Sequence, residues 1–90
     1  MVTENIDILI VSGVGGDWEW LYINNNLIYE HHHVDEILFT ELVGKTVRRV
    51  RHAVWSNQME AELSKGRESP QVVNDSMLKA IHTYCAPMIQ

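Results

Sequence analysis

The residues best equipped for chemistry form a short run, Glu30-His31-His32-His33, with Asp35 close behind. Imidazole and carboxylate are good ligands for zinc, nickel or copper. Neighbouring residues on a strand point to opposite faces, however, so one site takes His31 with His33, or Glu30 with His32, and hardly all of them. The chain has no Cys-x-x-Cys and no His-Glu-x-x-His, and His52 and His82 are distant in sequence. A metal-binding reading therefore rests on His31 and His33 with a carboxylate. The plainer reading is an exposed polar junction, and a third is pH sensing, since histidine titrates near neutrality.

Other candidate groups are weaker. Arg48-Arg49-Val50-Arg51-His52 is the basic cluster of the chain. Arg48, Arg49 and Arg51 suit a phosphate or an acidic partner, but nucleic-acid binding wants a positive surrounding field, and the chain carries a net charge of −5. Direct nucleic-acid binding is therefore not the expectation. Gly13-Val14-Gly15-Gly16 has the glycine content of a phosphate cradle, yet no helix N-terminus follows, and a tight turn accounts for it. Cys85 falls in an apolar helical stripe and reads as an inert thiol. Ser12 lacks the Gly-x-Ser-x-Gly context of an exposed nucleophile, and Glu19 with Glu30 on a half-exposed sheet edge makes a poor acid-base pair. The expectation is a protein without catalysis and without a cofactor.

The elements that must position these groups are legible from periodicity. Residues 6–11 (Ile-Asp-Ile-Leu-Ile-Val) read as a central strand, followed by the glycine turn. Residues 18–24 and 27–31 read as a β-hairpin. An Asn25-Asn26 loop would pair Ile23 with Ile28, Tyr22 with Tyr29, Leu21 with Glu30 and Trp20 with His31. The alternative loop, Asn24-Asn25, would set Glu19 against Glu30, a destabilising like-charge pair. In the preferred register Trp18, Trp20, Tyr22, Tyr29 and His31 share one face, and Glu19, Leu21, Ile23 and Ile28 the other. Residues 34–43 have a helical apolar stripe with acids in the first turn and Gly44 as the stop. Residues 46–55 read as a fourth strand. Asn57-Gln58-Met59-Glu60 resembles a capping box opening a short helix, and Asn74 or Asp75 caps a last helix through Met77, Leu78, Ile81, Tyr84 and Cys85, stopped by Pro87.

The predicted fold is one α+β domain over residues 1–90, ordered strand-strand-strand-helix-strand-helix-helix. Its sheet has three to four mostly antiparallel strands, with helices on one face. Ninety residues build one modest core, and one cysteine allows no internal disulfide. No apolar run is long enough to span a membrane, and the N-terminus lacks the basic region of a signal peptide, so a cytoplasmic protein without membrane partners is expected. Charge is unevenly spread. Residues 1–44 hold eight acids and no Lys or Arg, while residues 45–90 hold all seven basic residues against four acids, giving −8 and +3. Such halves pair with each other or with a complementary partner.

An aromatic hairpin on so short a chain invites an interface, because exposed ring patches mark binding surfaces or oligomer contacts. The segment Gly-Asp-Trp-Glu-Trp-Leu-Tyr-Ile-Asn-Asn-Asn-Leu-Ile-Tyr-Glu-His-His resembles a pattern of small uncharacterised phage and mobile-element proteins. Those read about Gly-Asp-Trp-Glu-x-Leu-Tyr, a two-residue turn, an apolar strand ending Glu-x-His, and a short helix. The resemblance spans about residues 6–54. It implies an accessory phage-type protein in the cytosol of a host cell, inhibiting a host defence system stoichiometrically in the manner of anti-CRISPR proteins. In that reading Trp18, Trp20, Tyr22 and Tyr29 anchor, and Asp17, Glu19, Glu30, Asp35 and Glu36 meet a basic surface on a larger host protein. A homodimer burying sheet against sheet is the other way to cover the rings.

Overall fold

A computed structural model describes residues 4–84. The elements run β1 (Glu4–Ser12), β2 (Glu19–Ile23), β3 (Asn26–His31), α1 (Asp35–Glu41), β4 (Lys45–Trp55), α2 (Asn57–Ser64), α3 (Asp75–Lys79) and β5 (Ile81–Tyr84). The five strands form one sheet in the order β3-β2-β1-β4-β5. β1 is central, as its unbroken apolar run requires, and it pairs antiparallel with β2 and parallel with β4. The α+β class is as expected. The sheet is wider than expected, and the β1–β4 junction makes it mixed.

Helices cover both faces, not one. On the first face Leu9, Val11, Trp20, Tyr22, Ala53, Trp55 and Ile81 pack with Met59 of α2 and Met77 of α3. On the second, Ile6, Ile8, Leu21 and Ile23 pack under Val34, Ile37, Leu38 and Leu42 of the α1 region. The reason is composition: β1 and β2 are apolar at both odd and even positions, and each face needs its own cover.

The hairpin register also differs. The turn is Asn24-Asn25, both residues at positive φ (51° and 69°), the combination of a type I′ turn. The clash of Glu19 with Glu30 is avoided by a bulge. Tyr22 pairs with Leu27, Leu21 with Tyr29, Trp20 with Glu30 and Glu19 with His31, so Ile28 is the extra residue. Tyr29 and His31 therefore sit on the α1 face, away from Trp20 and Tyr22.

The C-terminal region departs furthest. Asn74 caps α3 as expected, its Oδ1 accepting from the Met77 N–H at 2.9 Å. That helix ends at Lys79, and residues 81–84 form β5 against β4 instead of continuing it. Ile81-His82-Thr83-Tyr84 also fits the two-residue period, and pairing with Ala53, Val54 and Trp55 decides between the two. Cys85 and Pro87 lie outside the described residues. For α2 the cap is Ser56, whose Oγ accepts from the Met59 N–H, one residue earlier than the capping-box reading placed it.

Candidate binding surface

The hairpin's rings are mostly structure. Trp20 is 6 % exposed and Tyr22 is fully buried. Trp20 meets Trp55 edge to face at 5.5 Å and donates its Nε1–H to Ser69 Oγ at 2.9 Å. Tyr22 donates its hydroxyl proton to the Pro70 carbonyl at 2.7 Å, and burial raises its phenol well above the usual range. The strap that receives these bonds continues along β3: the Leu27 N–H donates to the Gln71 carbonyl, and the Val73 N–H to the Asn25 carbonyl. Trp20 and Tyr22 are thus unavailable as docking anchors, because the 69–73 segment closes over them.

One of the acids read as docking groups, Glu19, is also engaged. Glu19 Oε1 accepts from the Val34 N–H at 3.0 Å, capping α1, which has no side-chain cap of its own at Val34. The side chains of Asp35 and Glu36 lie outside those described. Asp17 and Glu30 are exposed. Trp18 is half-buried at the open end of the hairpin, 4.8 Å from the His32 ring and 5.9 Å from His31, whose ring stacks on Tyr29 at 5.7 Å.

The histidines of this cluster make separate contacts. His32 Nδ1 is 2.8 Å from the Asp17 carbonyl oxygen, and His33 is exposed past the end of β3. Among the described residues no three His, Cys, Asp or Glu side chains come together as a metal would need.

The arginines occupy different surroundings. Asp7 lies in the apolar β1, and its carboxylate accepts from Arg48 Nε at 2.9 Å and Arg48 Nη2 at 2.6 Å, with Arg49 Nη2 at 3.6 Å. A bulge between the Ile6 and Asp7 partners brings Arg48 there. The Arg48 hydrogen bonds hold the Asp7 carboxyl below its ordinary range, against the opposing effect of burial, and the charges of Arg48, Arg49 and Arg51 add to them. The Asp7 backbone closes the knot, exchanging hydrogen bonds with Asn24: its N–H to Asn24 Oδ1 and its carbonyl from the Asn24 N–H. Part of the charge asymmetry is thereby cancelled inside the chain.

The N-terminal half of β4 is an exposed part of the sheet. That strand has eleven residues, of which His52–Trp55 pair with β5 and all but Arg48 and Trp55 register against β1. Residues 46–50 are all exposed. Val47 and Val50 lie on the α1 face beyond the helix's cover, Val50 half exposed, and Val43 in the preceding turn is 77 % exposed. Arg49 and Arg51 lie on the opposite face, and Arg51 Nε is buried without a hydrogen-bond partner. The sequence marks these arginines as basic; that residues 46–50 of their strand are exposed shows only in the fold.

A shallow recess of about 230 Å³ lies between α2 and α3, floored by Met59, Met77 and Ala80. Its rim is spent on structure: Asn74 caps α3 and Arg67 pairs with Glu62 at 2.6 Å. Among the described residues no helix is long and apolar enough to cross a membrane. No protein-family model matches the chain, and no curated protein or solved structure matches it significantly.

Proposed function

We propose that the chain is a small accessory protein acting by stoichiometric protein–protein binding, without catalysis, and that β4 is its contact surface. One observation carries this reading. Residues 46–50 are exposed although they belong to a hydrogen-bonded strand, and two of them are valines. Strands in a small domain normally hide one face, and exposed apolar residues beside cations mark a contact surface for another chain. Inhibition of a host defence system is the specific form that the hairpin's resemblance implies. The contact itself has the opposite polarity from the acidic docking face expected from the first half, because Trp20, Tyr22 and Glu19 are committed to the fold.

Position-specific photo-crosslinking tests the reading. A benzoylphenylalanine in place of Val50 should give one discrete one-to-one adduct in the protein's native extract. The same group in place of exposed Ser76, on α3, should not. No adduct at 50, or the same adducts from both positions, refutes it.

A further inference from the structure

We propose that Arg49 and Arg51, beside the Arg48–Asp7 pair, form a site for a doubly charged phosphomonoester. Such a site is independent of the binding reading above, whose probe position, Val50, lies on the opposite face of β4. The register sets Arg49 beside Asp7 and Arg51 beside Leu9, so both arginines project on the Leu9 face of the sheet. Alternate residues of a strand lie about 6.6 Å apart, a spacing from which two long side chains can converge on one group. The bulge adds a third cation, because Arg48 has no register partner in β1 and bonds the Asp7 carboxylate. No acid lies between Glu41 and Glu60 in the chain, and the counter-charge that the described residues bring to these arginines is Asp7.

Asp7 shows how little one carboxylate can satisfy here. Both of its oxygens are spent on Arg48, Oδ1 on Nε at 2.9 Å and Oδ2 on Nη2 at 2.6 Å. Arg49 Nη2 stands 3.6 Å from Oδ2, too long for a hydrogen bond. Arg51 has a buried Nε with no acceptor at all. A guanidinium stays charged and carries five N–H donors, so a buried donor left without an acceptor is costly. Three guanidiniums against one carboxylate also leave positive charge uncompensated. A phosphomonoester brings nearly two negative charges at neutral pH and three acceptor oxygens, enough to serve two forks at once. A second carboxylate would bring one charge and two oxygens, which a single arginine consumes, as Arg48 does with Asp7. A nucleic-acid strand carries one charge per phosphate along its length and meets a chain whose first 44 residues hold eight acids and no Lys or Arg. The Arg49 side chain is more than half exposed, so a phosphate group can reach it from solvent.

The full chain is titrated with phenyl phosphate at about pH 7.5, where the ester is a dianion, at constant ionic strength. Binding is read from the arginine Nε–H signals by heteronuclear magnetic resonance. Those of Arg49 and Arg51 should shift together along one single-site curve. Benzoate and diphenyl phosphate, each singly charged, should bind at least about tenfold more weakly. The Arg49→Gln/Arg51→Gln variant, checked for an unchanged melting temperature, should lose about tenfold or more in affinity. Lys65→Gln/Lys79→Gln, which removes the same net charge from the helices, should keep the wild-type affinity. Inorganic phosphate and acetyl-Ala-phosphoserine-Ala-amide separate the sources, the tighter of the two identifying a free or a protein-borne phosphate. Phenyl phosphate binding no tighter than benzoate, equal losses in the two double variants, or tighter binding of a single-stranded DNA 12-mer lacking terminal phosphates overturns the proposal. Loss of the Val50 adduct leaves this site standing, and loss of phosphate binding leaves the adduct standing.

Discussion

Replacing Trp20 by Ala separates a structural hairpin from a docking one. Trp20 is 6 % exposed, packs on Trp55 and donates a hydrogen bond to Ser69. Truncating a buried tryptophan costs about 3–5 kcal/mol through lost transfer energy and the cavity left behind. The edge-to-face partner and the Nε1 hydrogen bond place this site in the upper part of that range. A chain of this length has roughly 5–13 kcal/mol to lose. With a urea m-value near 1 kcal/mol/M, a loss of ~4 kcal/mol moves the midpoint down by about 4 M. The melting temperature should fall by about 20 °C or more. Trp20→Phe keeps a ring but loses the donor and some volume, and should cost about 2 kcal/mol. Urea denaturation followed by far- and near-ultraviolet circular dichroism gives both numbers. A surface anchor would behave otherwise: substitutions on an open surface fall within about 0.5 kcal/mol. A Trp20→Ala protein with wild-type midpoint and near-ultraviolet spectrum would refute the packing argued here.

Tyr22→Phe should cost about 1 kcal/mol or slightly more in the same titration, because the Pro70 carbonyl loses its donor inside the core. Since burial raises the Tyr22 phenol, its neutral form stabilises the fold below the ordinary tyrosine range near ~10, and that stability is lost as pH rises toward the raised value; alkaline difference spectra should show Tyr22 ionising only with unfolding. Asp7 works in the other direction: its lowered pKa contributes stability above the usual carboxylate value of ~3.9, lost as the pH falls toward the lowered folded value, so melting curves below pH 4 should decline in the wild type and lose that component in Asp7→Asn. Glu19→Ala should cost about 1 kcal/mol and speed amide exchange at Val34, the group it caps, while Glu19→Gln should recover part of both.

Much of the fold was legible where one local rule acted alone. The apolar run of β1 required a buried strand, and Gly44, with φ at 75°, ends the α1 region as its freedom at positive φ suggests. The Glu19–Glu30 repulsion was a correct physical constraint with an incomplete set of solutions: a bulge at Ile28 satisfies it as well as a shifted turn does, and that choice moves Tyr29 and His31 to the other face. Residues 80–84 carried both a helical and an alternating pattern, and only the available edge of Trp55 resolves them. The strap at 69–73 has no periodicity to read, yet it converts Trp20 and Tyr22 from candidate surface into core. The candidate site suffered for the same reason. Arginines are visible in a sequence; the exposure of residues 46–50 on a hydrogen-bonded strand is a property of the fold.

Residue-resolved native-state amide exchange on the isolated chain, with its mass in solution checked alongside, tests the arrangement most directly. The account predicts that β2 amides Trp20–Ile23 exchange near the slowest rates in the protein, far below those of the exposed turn at residues 14–17. A β2 that opens as easily as that turn would contradict it.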